Sequence, residues 1–373
     1  MRHFGIALGP RVSQSPYFEA TVDAGVTHFS IYNHMYMPTS YGDPIAEYWR
    51  LIEGVAMWDV AAQRQVEVAG PDAGRLVDVL SARDVSATRV GQAKYMPMCD
   101  HEGRLINDPL VLRVGSDRWW ISIADGDMLE WCRAIGFERG FEATVTEPDV
   151  SPMAVQGPRA EDVVAALLGE WIREIRFFDY RETDIAGIPL WVGRAGWSKQ
   201  GGFELYLCDH NRGTDLWELV AAAGSPFDIG PGAPNYVERI ESALLSFRAD
   251  NDFDTDPYEL GLDRWIDLDR DADFIGKEAL VRRRAQGPRR RLVGVYLDGD
   301  PIEPNSRPWK IRVDGETAGE VRAAAFSPRL SRNIGLALVR AAHSSFGSRL
   351  DVASETGMRT ATTTSIPFPV TAE

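Results

Sequence analysis

The chain has 373 residues, 44% of them hydrophobic and 25% charged, which is enough to bury a core in one large or two to three ordinary domains and excludes disorder. Lys and Arg number 40 against 55 Asp and Glu, a net charge of −15 that argues against nucleic acid or any other polyanion as partner. No apolar run reaches the roughly 18 residues of a bilayer span, and the apolar stretch within Met1 to Pro10 is too short for a secretory signal, so a cytoplasmic protein with no membrane partner is expected.

Two segments read alike. Gln65-Val66-Glu67-Val68-Ala69-Gly70-Pro71 precedes a helix over 73–80, and Met153-Ala154-Val155-Gln156-Gly157-Pro158 precedes one over 160–168. Each is strand, Gly-Pro, helix, with proline in the first helical turn, which suggests two related α+β units. Between them, residues 109–114 and 118–124 read as strands joined by a turn at Gly115-Ser116-Asp117, followed by a helix over 128–137. Residues 184–193 and 202–207 form a further strand pair around the long connector 194–201.

The spacing of Val237, Ile240, Leu244 and Phe247 predicts a helix over 234–247, with Glu241 beside its apolar stripe. The arginine-rich run 282–291 reads as a solvated boundary at Gly287-Pro288 rather than a nucleic-acid patch, dividing the chain into 1–288 and 289–373. Beyond it, short strands at 292–297, 310–313 and 335–339 predict a small all-β barrel or sandwich that residues 365–369 close.

Dinucleotide, Walker, GxSxG and HExxH signatures are missing, and three dispersed cysteines with six scattered histidines predict neither disulfide framework nor metal site. In Phe203-Glu204-Leu205-Tyr206-Leu207, alternation puts Glu204 and Tyr206 on one face. Taken alone, that pair reads first as a solvated strand surface. Trp120 shares a face with Ser122, and Tyr95 precedes a Met-Pro-Met segment. A carboxylate beside aromatic walls suits a flat heterocycle with adjacent N–H donors, such as a pterin or purine.

Eight ordered blocks then carry a resemblance: Tyr41-Gly42 with Met57-Trp58-Asp59-Val60; Ala93-Lys94-Tyr95; Gly103 to Asp108; Ala154 to Pro158; Gly201-Gly202-Phe203-Glu204; Arg239-Ile240-Glu241; Asp273 to Leu280; and Ala325-Phe326-Ser327-Pro328. Over nearly its whole length the chain resembles the glycine cleavage T-protein family of tetrahydrofolate-dependent enzymes. The resemblance implies an α+β, three-domain cloverleaf: two interleaved α+β domains within 1–288 that hold folate in a central opening, and a C-terminal β-barrel. It implies a pterin held by Glu204, with Tyr95, Ser122, Tyr206 and Asn107 at the cofactor.

Within the family the chain is most similar to the dimethylsulfoniopropionate demethylases, through Ser15-Pro16-Tyr17, residues 32–42, Ile106-Asn107-Asp108-Pro109, Trp197, Tyr206, residues 234–246 and Asp256-Pro257. Asn107 stands where aminomethyltransferases carry the first aspartate of a pair, and Asp108 keeps the second, which argues against ammonia-releasing glycine cleavage. The resemblance thus implies methyl transfer from a small-molecule donor to N5 of tetrahydrofolate, with Asp108, Trp197 and Tyr32 as the catalytic set; a homodimer is one assembly it allows. Other readings are an O- or N-demethylase of another donor, an aminomethyltransferase and a folate-binding protein without catalysis.

Overall fold

In the computed structural model, which describes residues 8–369, the N-terminal region is built on two mainly antiparallel sheets. The first runs in the order Thr144–Thr146, Gln65–Ala69, Arg118–Ser122, Leu110–Gly115, Gln92–Tyr95. The second runs Tyr180–Ile185, Ile188–Gly193, Gly202–Leu207, Ser151–Gln156, Ala56–Asp59, Gly230–Gly232, with only the last pair parallel. Ala56–Asp59 precedes the first sheet in the chain yet pairs in the second, so the two units are interleaved.

Each sheet buries one face under its own helices. Leu76, Val77 and Leu80 of Ala73–Leu80 and Cys132 and Ile135 of Met128–Glu138 pack on Val66, Val68 and Ile121. Val163 and Val164 of Ala160–Leu168 and Leu216 and Val220 of Gly213–Gly224 pack on Met153, Val155, Phe203, Leu205 and Leu207. The opposite faces meet through Trp120, Tyr180, Trp191 and Tyr206, which form an aromatic layer between the sheets. The repeated Gly-Pro is a repeated backbone turn: Gly70 and Gly157 have φ of 127° and 124°, where a Cβ would lie 2.8 Å and 2.5 Å from a carbonyl oxygen of a neighbouring chain segment.

The C-terminal region is a closed six-stranded barrel, in which Arg290–Leu297 pairs with both Arg332–Arg340 and Gly357–Thr364. Residues 365–369 therefore do not close it. They lie across Gly294 instead, Phe368 donating its N–H to Glu241 O at 2.9 Å. The boundary arginines are engaged in ion pairs, Arg283 with Asp256 and Arg290 with Asp252 and Glu259.

Two expected elements come out shorter. The helix expected over 234–247 is Tyr236–Glu241, because Ala243 turns left-handed at φ 52° and the chain closes with Ala243 N on Ile240 O and Leu244 N on Arg239 O. The strand expected over 184–193 is instead a hairpin of Tyr180–Ile185 and Ile188–Gly193, with Ala186 and Gly187 both at positive φ in its turn. The short helix packs Ile240 against Ala323, Ala325, Ile334 and Leu336 of the barrel. Its Glu241 ties three regions together, accepting from Tyr48 at 2.8 Å, Ser327 at 2.5 Å and Arg329.

Candidate functional site

Cross-strand register assembles the first group of site residues. In the first sheet Tyr95, Leu110, Ser122 and Gln65 are successive partners in one row. In the second, Tyr180, Gly193 and Glu204 form another, with Tyr206 two residues on from Glu204. Where the sheets face each other, Glu204 is 4% exposed, and Tyr180 donates to its Oε2 at 2.9 Å. The Tyr206 hydroxyl lies 3.3 Å from the same oxygen and 3.5 Å from Ser122 Oγ, which also accepts from Gln65 Nε2 at 2.9 Å. Trp120 stacks along Tyr206 at 6.3 Å.

Among the described residues no cation pairs with Glu204. Burial raises its carboxyl above the ordinary range, against the hydrogen bonds from Tyr180 and Tyr206. The phenols of Tyr180 and Tyr206 are raised by burial and then by the Glu204 charge, so both stay protonated donors.

The second group lies around Asp108. Tyr95 donates to Asp108 Oδ2 at 3.0 Å, and burial lifts the Asp108 carboxyl to about 7, the Tyr95 bond lowering it and the Asp250 charge raising it. Tyr32 stands at the end of the hairpin His28–Tyr32 and Met35–Ser40, whose turn residues Asn33 and His34 both have positive φ. Burial and then the Asp108 charge raise its phenol, and its hydrogen bond with the Asp125 backbone opposes them.

Residues 123–126 hold this group together. Asn33 Nδ2 donates to Ala62 O and Ile123 O, Asp125 Oδ1 accepts from Asn33 N at 2.8 Å, and Gly126 N donates to Asn33 Oδ1 at 2.8 Å. Fully buried Asn107 is engaged the same way, accepting from Ala124 N at 2.9 Å and donating to Ala124 O at 3.1 Å. Behind Tyr95, the Trp265 ring meets it edge-on at 5.8 Å and is flanked by Arg83 at 4.4 Å and Arg264 at 4.5 Å.

Half-buried Trp197 sits on the connector 194–201, and among the described residues no hydrogen bond or ring contact joins it to either group. Buried Gln156 threads this connector, donating to Ala195 O at 3.0 Å and accepting from Ser198 Oγ at 2.8 Å. Glu238 clasps its far side: Oε1 accepts from Lys199 N at 3.1 Å, Gln200 Nε2 at 2.9 Å and Ser242 Oγ at 2.6 Å. The Lys199-Gln200 pair thus anchors the loop.

The GCVT N-terminal domain matches residues 17–270, and the glycine cleavage T-protein C-terminal barrel domain matches residues 290–368. The chain belongs to the glycine cleavage T-protein family. Dimethylsulfoniopropionate demethylase DmdA of Ruegeria pomeroyi is 40% identical over 352 residues, covering 94% of this chain and 96% of its own. An aminomethyltransferase of Symbiobacterium thermophilum is 31% identical, covering 85% of this chain and 86% of its own. The crystal structure of the glycine cleavage system aminomethyltransferase T from Bartonella henselae shares the three-domain fold, with a TM-score of 0.86 over 96% of this chain and 98% of its own at 21% identity. This member of the T-protein family is a tetrahydrofolate-dependent one-carbon transferase, and tetrahydrofolate is its cofactor.

The Glu204 group fits that cofactor. No hydrogen bond from the described protein reaches its Oε1, and Oε2 accepts only from the neutral phenols of Tyr180 and Tyr206, so a buried carboxylate without a cation has acceptor capacity left on its two oxygens that suits the paired N–H donors of a pterin. Tyr180 was missed in the sequence, and only the strand register reveals it. Its ring crosses flat over Gly193, where a Cβ would lie 2.2 Å from Tyr180 Cδ1. Gly193→Ala is therefore expected to push Tyr180 off Glu204, costing about 1–3 kcal/mol of stability and weakening folate binding, read by thermal melts and fluorescence titration. Also missed were Asp125, Glu238 and the buried Arg239–Asp250 ion pair at 2.8 Å, all partners across long sequence separations or in short loops.

Among the described residues, no helix is long and apolar enough to cross a membrane.

Proposed function

We propose that the protein transfers a methyl group from dimethylsulfoniopropionate to N5 of tetrahydrofolate and releases methylmercaptopropionate. The observation that carries this reading is Asn107. Where the family's aminomethyltransferases have an aspartate, this chain has an amide whose Oδ1 and Nδ2 are both engaged by Ala124. The position serves the backbone instead of holding a second carboxylate, which suits a donor that needs no protonation. The 40% identity with the Ruegeria demethylase supports the same donor.

Tetrahydrofolate supplies an unprotonated N5 as methyl acceptor. The C–S bond breaks, its electron pair leaves with the neutral thioether, and no residue has to protonate that leaving group. Catalysis is then chiefly positioning, with donor methyl and acceptor held about 3–3.5 Å apart. Glu204 fixes the ring's orientation through paired N–H donors, and Tyr206, Tyr180 and Ser122 fix Glu204 in turn. Tyr95 aims Asp108, whose carboxylate takes up the proton that methylation displaces from N5. The ring faces of Tyr32 and Trp197 hold the sulfonium by cation–π attraction of roughly 0.5–2 kcal/mol. A cytoplasmic setting belongs to the same proposal, since Cys99, Cys132 and Cys208 are all free thiols.

With the Asp108 carboxyl at about 7, kcat is expected to rise with pH to a plateau above that value, because the ionised form accepts the proton. Stability runs the other way. The folded group binds its proton more tightly than the unfolded one, so its contribution is full below about pH 4 and is lost as pH rises through about 7. Asp108→Asn is expected to flatten both profiles and to lower kcat on the order of 10²-fold, measured by initial rates and melts across pH.

The reading is tested by anaerobic incubation with tetrahydrofolate and dimethylsulfoniopropionate, followed by mass spectrometry. Equal amounts of 5-methyltetrahydrofolate and methylmercaptopropionate are expected. Methyl transfer from methoxyaromatics or methylamines, with none from the sulfonium, would contradict it.

A further inference from the structure

Arg248 is the one arginine in the 246–256 loop, and its backbone is left-handed at φ 67°, a conformation that L side chains rarely adopt and glycine adopts freely. The loop is firmly held there. Arg248 N donates to Asn251 Oδ1 at 2.7 Å, and Arg322 of the barrel donates to the carbonyls of Arg248, Ala249 and Asn251 at 2.9 to 3.2 Å. A long cation is thus retained at a backbone position better suited to a residue with no side chain.

The guanidinium carbon lies 3.8 Å from the Phe253 centroid and 4.9 Å from that of Phe247, so two aromatic rings pack against it and restrict its rotamers. Among the described residues no acceptor meets the guanidinium, and Nη1 is buried without a partner. The Asp125 charge reaches it without forming an ion pair, and the same charge reaches Tyr32. Asp250, two residues along the loop, acts on Asp108. Phe247, on which Arg248 lies, belongs to the cluster against which Ala124 packs, so Arg248 neighbours the segment that carries Asn107's partner Ala124 and Asp125.

A planar cation packed against aromatic rings with a buried, unpaired N–H group is suited to receive a carboxylate. We propose that Arg248 binds the carboxylate of the methyl donor and selects donors that carry an acid group at the end away from the transferred methyl. This rests on the demethylase reading, which leaves the donor's carboxylate without a partner.

The test compares wild type, Arg248→Met, Arg248→Lys and Arg248→Gly with dimethylsulfoniopropionate and its primary amide, which keeps the sulfonium and lacks the carboxylate. For the acid, Arg248→Met is expected to raise KM about 10- to 100-fold with kcat nearly unchanged, and Arg248→Lys to recover part of that loss. For the amide, all four proteins should have similar KM. Arg248→Gly, which relieves the left-handed backbone, should melt at or above the wild-type temperature while sharing the KM defect, separating ligand binding from folding. Equal effects on acid and amide would overturn the proposal, as would a rise confined to the KM for tetrahydrofolate, which would assign Arg248 to the folate's own carboxylates. Absence of wild-type turnover with either donor would overturn the demethylase reading, and this inference with it.

Discussion

Glu204→Gln is expected to weaken tetrahydrofolate binding on the order of 10²-fold while leaving the protein as stable as wild type or more so. The opposite signs follow from the burial of an unpaired carboxylate. Its two protein donors, Tyr180 and Tyr206, can still reach a glutamine oxygen, so the fold keeps those bonds in neutral form. The cost of burying the charge disappears, and because burial raises the folded carboxyl, that relief grows as pH rises through its titration and vanishes in acid. The ligand loses more: a carboxylate accepts two parallel N–H bonds, whereas a carboxamide offers one acceptor and turns a donor toward the second N–H. Equilibrium titration with tetrahydrofolate beside thermal melts at pH 6 and 8 reads both effects. Unchanged affinity would remove Glu204 from the cofactor site.

Arg239→Met is expected to cost about 3–5 kcal/mol of stability and to shift the pH midpoint of kcat upward. Arg239 and Asp250 are 2% and 0% exposed at their side chains, and Nη1 meets both Asp250 oxygens at 3.1 and 2.8 Å. Removing the cation strands a buried carboxylate, which is far worse than never having had the pair. The Asp250 charge already raises Asp108, so leaving it uncompensated moves Asp108 further in that direction. Chemical denaturation reads the first effect, and the pH dependence of kcat in the folded fraction reads the second. A destabilised variant with an unmoved midpoint would break the link from Asp250 to the reacting centre.

Period-two alternation through Phe203–Leu207 correctly separated Leu205 and its neighbours, which face the helices, from Glu204 and Tyr206 on the other side. What alternation could not supply was the second sheet, which buries that other face as well and turns an apparently solvated strand into an inter-sheet site. The Gly-Pro repeats were legible because glycine and proline mark their turns by chemistry. Ala243 and Ala186 were not, since each is left-handed without being glycine or asparagine, and so one helix ran too long and one hairpin was read as a single strand. Asn107 meets Ala124 and Tyr32 meets the backbone of Asp125, in a segment with no motif of its own. Such a juxtaposition emerges only once distant strands are in register.

Everything proposed for the site depends on a methyl carbon moving intact from a sulfonium to folate nitrogen. One anaerobic turnover with dimethylsulfoniopropionate carrying a heavy-isotope methyl group, quenched and analysed by mass spectrometry, follows that carbon. The label is expected in 5-methyltetrahydrofolate, in amount equal to the methylmercaptopropionate released, and is expected to be lost from it in Glu204→Gln at limiting tetrahydrofolate. Label recovered in methylenetetrahydrofolate, or methylmercaptopropionate formed without labelled folate, would show that the methyl does not travel this way.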